Sequence, residues 1–242
     1  MTESVSIVTA AFNSENTIAQ TIESVLSQTM PCKEYIIVDG GSTDDTLEIA
    51  ESYREKFAKK EISYQIISEK DRGIYDAMNK GIRLATGTLI GLINSDDWYE
   101  PEAIETVLGR YRQEPFDMMY ADLRMWKDGK PIQIKKARQR AHYVTTRDWN
   151  HPTTFITKEI YEKYSYACES VYDDLDLWLR LIRDGKKIVT VNRILANYRL
   201  GGKSNQKSIG QGVNRARVKY RIYRKNGFSR LNLLEGVGMG LG

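Results

Sequence analysis

A chain of 242 residues, 41% hydrophobic and 28% charged, is long enough for one well-buried core and too apolar to be disordered. A net charge of +4 does not by itself imply nucleic acid, five prolines and eighteen glycines exclude a low-complexity chain, and two distant cysteines, Cys32 and Cys168, exclude a disulfide framework or zinc finger and fit a reducing compartment. The first residues lack the basic stretch and apolar run of a secretory signal, and no segment approaches the roughly 20 apolar residues of a bilayer span, so the expectation is a soluble or peripheral protein of the cell interior.

In chain order, residues 5–8 form a short β-rich run, followed by a polar turn at Phe12-Asn13-Ser14. Ile18, Ile22, Val25 and Leu26 then recur at helical spacing. Residues 35–38 are fully apolar, as in a strand buried on both faces. Asp39-Gly40-Gly41-Ser42-Thr43 breaks that strand, and Ser42 or Thr43 is the expected cap of the next helix, with Asp44 and Asp45 in its first turn. A third strand is predicted over 62–68, a helix over 76–85 and a fourth strand over 89–93; Pro101 is expected at the first position of another helix. Strand, loop and helix in repetition predict a parallel α/β sheet, whose ligands sit beyond the carboxyl ends of the strands. That rule selects the loops at 11–13, 39–44 and 94–98.

After about residue 115 the pattern changes. Strands are expected at 116–126 and 132–136 around an Asp128-Gly129-Lys130 turn, and an amphipathic helix over 173–184 ends at Gly185. Residues 188–198 read as extended, 208–225 as a basic helix, and 236–242 as a glycine-rich tail expected to be disordered. From Lys203 to Arg230 there are nine Lys or Arg and no Asp or Glu. This run reads either as a plain solvated face or as a surface for anionic lipid headgroups. Nucleic acid is not expected, because no recognition motif accompanies the charge.

Several clusters could carry chemistry. Asp96 and Asp97 are adjacent carboxylates after a buried strand; they suit a hard divalent ion shared with substrate phosphates, or a capping loop. Asp39, before two glycines, could accept a hydrogen bond from a base or ribose, or close an Asx-turn. Neither the G-x-x-x-x-G-K nor the G-x-G-x-x-G pattern is present. Asp71 and Arg72 lie in a dense polar loop that could face a nucleotide or be a solvated turn. Asp173, Asp174 and Asp176 open the later helix, where acids serve the dipole or, facing a cleft, a general base. His151 is a further candidate polar contact.

Together these segments resemble the family 2 glycosyltransferases of the GT-A fold. The likeness rests on Ser6-Ile7-Val8-Thr9-Ala10-Ala11-Phe12-Asn13, Ser24-Val25-Leu26-Ser27-Gln28-Thr29-Met30, Val38-Asp39-Gly40-Gly41-Ser42-Thr43-Asp44-Asp45-Thr46, Asn94-Ser95-Asp96-Asp97 and the later Asp174-Leu175-Asp176-Leu177-Trp178-Leu179-Arg180-Leu181. The run from Ser68 to Gly81 is similar to bacterial enzymes of exopolysaccharide, colanic-acid-type and O-antigen assembly. The resemblance implies a mostly parallel Rossmann-like sheet flanked by helices, with a transferase domain at 1–205, its nucleotide-sugar half at 1–110, its acceptor half at 111–205, and a basic extension at 206–242. It implies an inverting hexosyl transfer from a nucleoside-diphosphate sugar, UDP-linked by preference, with Mn²⁺ or Mg²⁺ as cofactor. The acceptor is expected to be a polyprenyl-diphosphate-linked glycan, and the location the cytoplasmic face of the inner membrane. By position, Ala10, Phe12, Asp39, Asp71, Arg72 and Asp96 would serve the nucleotide sugar, and Asp97 the metal; Ser95 stands where the Asp-x-Asp pattern has its first acid. Asp174 would be the base, with Asp173 the runner-up. His151, Trp178 and Lys203 would border the acceptor or diphosphate. Two other readings remain at this level: a sugar nucleotidyltransferase, to which the Asp174 helix gives no obvious task, and a non-catalytic nucleotide-sugar- or glycan-binding module.

Overall fold

The computed structural model describes residues 3–139, 145–201 and 209–228, with backbone alone for 209–214. Lys203 and the glycine-rich tail lie outside the described residues. Three apolar runs form the middle of the sheet. They are β1 (Val5–Ala11), β2 (Glu34–Asp39) and β4 (Leu89–Leu92), and every residue in them is buried. Side chains on both faces of a strand can be buried only if helices cover both faces, and here they do. With β3 (Ser63–Ser68), these strands pair in parallel in the order β3-β2-β1-β4. Val5, Ile7 and Ala11 face one core layer, Val8 and Ala10 the other, as period-two alternation requires.

The first layer packs under α1 (Ile18–Leu26), α2 (Thr46–Glu51), α3 (Arg54–Lys59) and α5 (Ala103–Gln113). The second packs under α4 (Ile74–Leu84), α6 (Lys158–Lys163), α7 (Asp173–Arg183) and α8 (Ile209–Lys225). Beyond β4 the sheet continues through β8 (Phe155–Thr157), β6 (Met118–Lys127), β9 (Ile188–Arg199) and β5 (Trp98–Tyr99), with β7 (Lys130–Lys135) alongside β6. β8 is antiparallel to both β4 and β6, whereas β6 and β9 are parallel. Six described strands therefore run one way, and β5, β7 and β8 run the other.

The hairpin between β6 and β7 turns on Asp128 and Gly129, both at positive φ, the geometry that matches strand twist. Gly185, at φ +66°, ends α7 as expected. Three local expectations are corrected. Neither Ser42 nor Thr43 caps α2: Ser42 is drawn onto the Asp39 carboxylate, and the helix starts only at Thr46. Pro101 does not open α5, which begins at Ala103; the chain before it is held by Glu100, whose N–H donates to the Leu195 carbonyl at 2.9 Å, so Pro101 lies in the turn. The helix predicted from Asp76 starts earlier, at Ile74, just after Gly73 at φ +118°.

Candidate active site

The loops selected by the carboxyl-end rule converge. At the end of β2, Asp39 is buried and its carboxylate accepts bonds from the Gly41 and Ser42 N–H groups, the Ser42 hydroxyl and the Ser68 hydroxyl. The Asx-turn is therefore real, and it holds the carboxylate rigidly at the strand end. Across from it, the Asp71 carboxylate accepts the Gly73 N–H at 2.8 Å and lies against Gly40, where a Cβ would run into it. Phe12 stands beside the same glycine and is 48% exposed, a large ring left uncovered at the end of β1; Ala10 is buried behind it. Ala10, Phe12, Asp39 and Asp71 thus gather at one place. Arg72 is exposed and ion-paired with Asp76 at 3.4 Å, on the rim of the cleft described below.

The loop after β4 is pinned at several points. Ser95 shares a 2.7 Å hydrogen bond with Ser14, and the Asp97 carbonyl accepts the Thr21 hydroxyl at 2.6 Å. Asp97 is fully buried, with Oδ1 accepting the backbone N–H of Arg199 at 3.0 Å. Burial pushes its carboxyl well above the usual range, and neighbouring Asp96 adds to the shift. Asp96 is half-buried, and burial raises its carboxyl too. Arg199 donates from Nε to the Asp96 carbonyl and lies 5.0 Å from the Trp98 ring. Two oxygens of this loop, Asn94 Oδ1 and Asp97 Oδ2, are buried without a hydrogen-bond donor.

Among the described residues, no group of three or more His, Cys, Asp or Glu side chains forms a metal cage. The loop nonetheless fits a divalent ion of the shared kind, where the protein gives one or two carboxylates and substrate phosphates complete the shell. Unsatisfied buried oxygens beside two carboxyls that resist ionisation are what such an ion relieves, and neither carboxylate is ion-paired among the described residues.

A cleft of about 850 Å³ opens beside this loop, reached by Asn94, Tyr75, His151, Tyr172, Asp174 and Tyr198 among others. The two candidate bases separate here. Asp173 is buried, and its oxygens accept the Glu169 N–H, the Ser170 N–H and the Ser170 hydroxyl. Its carboxylate is consumed by its own loop. Asp174 lines the cleft at the start of α7, where the helix dipole favours an anion. His151 also lines the cleft, with Nε2 3.3 Å from the Tyr166 hydroxyl; burial holds its pKa below the ordinary value, while the charge of Asp174 opposes the shift. Tyr75 stacks on Tyr166 at 5.1 Å, and burial, then Asp174, push its hydroxyl up.

Trp178 does not border the cleft. It is buried beneath it, stacked on Trp149 with ring centroids 5.2 Å apart, because α7 turns its apolar stripe inward. Trp149 is the ring that reaches the cleft. Residue-by-residue reading missed Trp149, Tyr75 and Tyr172; aromatic residues next to Asn150-His151 and Asp173, and one three positions after Arg72, were the available signal. The basic C-terminal run, expected to be a plain solvated face or a lipid-facing surface, also packs inward: α8 buries Ile222 and Tyr223 and brings Arg215 and Lys219 to the cleft.

The family model for glycosyl transferase family 2 matches residues 6–170. EpsH of Bacillus subtilis is 40% identical over 150 residues, 59% of this chain and 42% of EpsH; an Escherichia coli chondroitin synthase is 39% identical over 110 residues, 46% of this chain and 16% of the synthase. The chain spans less than half the length of either. Among solved structures, Staphylococcus aureus TarS 1–349 in complex with UDP-GlcNAc superposes with a TM-score of 0.70 at 18% identity, covering 92% of this chain and 65% of that one. The Pyrobaculum calidifontis mannosyltransferase PcManGT, in complex with GDP-Man and Mn²⁺, does so at 0.70 and 14%, covering 93% and 64%. These neighbours share the GT-A fold, the expected architecture. With matching motifs, matching fold and a family model spanning most of its length, the chain belongs to glycosyl transferase family 2.

Proposed function

We propose that this protein is an inverting glycosyltransferase that moves a sugar from a nucleoside-diphosphate sugar, a UDP-sugar by preference, to a hydroxyl of a lipid-linked glycan. The observation that carries the reading is the contrast at the start of α7, where one carboxylate is tied into its loop and the next lines a large cleft. Asp174 is assigned as the general base. It takes the proton of the acceptor hydroxyl as that oxygen attacks the sugar from the face opposite the leaving diphosphate, which inverts the anomeric centre without a second carboxylate. His151, whose pKa burial holds below the ordinary value, is assigned a hydrogen bond to the acceptor from the cleft wall. Nucleotidyl transfer gives Asp174 no such proton to take.

Phe12, Asp39 and Asp71, with Ala10 behind, are assigned to the nucleotide, and Arg72 to its outer edge. The TarS complex with UDP-GlcNAc and the PcManGT complex with GDP-Man support a nucleotide-sugar donor. The metal is assigned to Asp97, whose Oδ2 is buried without a hydrogen-bond donor while Oδ1 takes the Arg199 N–H, and the neighbouring Asp96 to the nucleotide sugar. A bound Mn²⁺ or Mg²⁺ supplies positive charge for the departing diphosphate. The exposed residues Arg217, Arg221 and Arg224, spaced as one helix face, suit an anionic surface such as the cytoplasmic leaflet of the inner membrane. No helix among the described residues is long and apolar enough to cross a membrane.

The test is a thermal-shift series with UDP, GDP, dTDP and CMP, each with and without Mn²⁺. One diphosphate should raise the midpoint in a metal-dependent way. That response should vanish in Asp97→Asn and persist in Asp174→Asn, which should form product about 10²–10⁴-fold more slowly. Full product formation by Asp174→Asn would sink the base assignment, and loss of the metal response in Asp96→Asn alone would move the ion to Asp96.

A further inference from the structure

We propose that α8 builds an anion-binding subsite into the acceptor cleft, in which Arg215 and Lys219 hold a negatively charged group that the acceptor carries close to its reacting hydroxyl. This deepens the transferase reading and rests on it for the role of Asp174.

The helix lies beyond the segment matched by the family model, which ends at residue 170. It is nonetheless part of the cleft. Ile222 and Tyr223 are buried against the second core layer, and Asn226 Nδ2 donates to the buried Asp176 carboxylate of α7 at 2.9 Å. Arg215 and Lys219 are four residues apart and so share one face, and both line the cleft. Lys219 Nζ lies 3.3 Å from the Thr146 hydroxyl and 5.2 Å from the centre of the Tyr172 ring. Lys135 adds a third ammonium to the same cleft, positioned by the Thr146 and Trp149 carbonyls at 3.0 and 2.7 Å.

Two carboxylates that could cancel this charge are engaged elsewhere. Asp76 is paired with Arg72 and Lys80, and Glu169 with Lys225. Among the described residues lining the cleft, Asp174 is the remaining carboxylate. Tyr172, two residues before Asp174, is the shared neighbour: the charges of Arg215 and Asp174 act on its hydroxyl in opposite senses. The cationic wall and the base thus flank a single ring. An acceptor whose charge lies many sugars from its reacting hydroxyl does not suit this spacing. A sugar attached directly to a phosphate, or one bearing its own carboxylate, does.

The experiment is calorimetric titration without divalent cations, using farnesyl diphosphate and glucuronate as separate probes. It compares the full-length wild type with Arg215→Ala/Lys219→Ala, with the charge-conserving Arg215→Lys/Lys219→Arg, and with the exposed-face variant Lys59→Ala/Arg83→Ala, whose residues are exposed and do not line the cleft. A lost charge-assisted hydrogen bond weakens binding about tenfold. One probe should therefore bind wild type and the exposed-face variant alike, weaken by at least about tenfold in the alanine pair, and be largely restored by the conservative pair. If that probe is farnesyl diphosphate the charge is phosphate; if glucuronate, it is carboxylate. Equal affinity in wild type and the alanine pair, or no binding of either probe to wild type, overturns the proposal. The nucleotide thermal shift, run on the same preparations, fails separately. A silent nucleotide series with an intact probe response would sink the transferase reading alone, and the reverse would sink the subsite alone.

Discussion

Asp173 and Asp174 are consecutive carboxylates in different surroundings, the first bonded to its own loop and the second lining the cleft. Replacing Asp173 with Ala strips the Glu169 and Ser170 N–H groups of their acceptor, and the expected cost is about 1–3 kcal/mol of stability, read from urea unfolding, with nucleotide binding retained. Asp174→Asn should leave unfolding unchanged and lower kcat by about 10²–10⁴. His151 gives a pH signature. Its folded pKa lies below its unfolded value of about 6.5, so the folded state binds fewer protons there. Its contribution to stability is present above pH 6.5 and is lost as the pH falls through the lowered value. The melting midpoint should fall below about pH 6.5, and His151→Gln should flatten that part of the curve. The chain has two histidines, so imidazole resonances can assign the shift directly. Sequence alone left the choice between Asp173 and Asp174 open because both begin the same helix turn; the decision lies in which carboxylate the 169–170 backbone captures, a contact set by the loop's path. It misplaced Trp178 for a related reason: a helix-spacing pattern marks an apolar stripe without saying whether a ring on it meets the core or the cleft.

At the scale of elements, the parallel half was legible because its strands are uninterrupted apolar runs bounded by polar turns. Other elements were hidden by their length. β8 has three residues and β5 two, too few for a period to show, yet β8 joins β4 to β6. The packing of α4 on β1 and β2 depends on Gly81, where a Cβ would run into Val8 and come within 3.3 Å of Val38. Gly81→Ala gains about 1 kcal/mol in helix propensity. Val8 is branched, buried and fixed in a central strand, so overpacking costing about 1–3 kcal/mol wins. The variant should unfold at lower denaturant, with Gly109→Ala, which has open space around it, as the contrasting case.

At the scale of the molecule, α8 is joined to the transferase body through a small set of buried contacts. Asn226 bridges the Ile222 carbonyl and the Asp176 carboxylate at 2.9 Å each. Asn226→Ala should cost about 1–3 kcal/mol and speed amide hydrogen exchange in 215–225 ahead of the rest of the chain. The charge count marks this helix as basic without showing that Ile222 and Tyr223 turn inward, since that buried stretch is short and set among polar residues.

The place of β8 in the sheet also sets the order in which the protein can be completed as it is made. The strand that covers the open edge of β4 is residues Phe155–Thr157, and the backbone N–H that fixes Asp97 belongs to Arg199. A nascent chain carrying all of β1 to β4 therefore emerges from the ribosome with β4 as an apolar, unpaired outer strand. That edge stays exposed until some sixty further residues have been synthesised, and during this interval the chain is open to pairing with another copy. Translation speed across this stretch, and a chaperone able to shield the exposed edge, should govern the soluble yield more strongly than the stability of the finished fold.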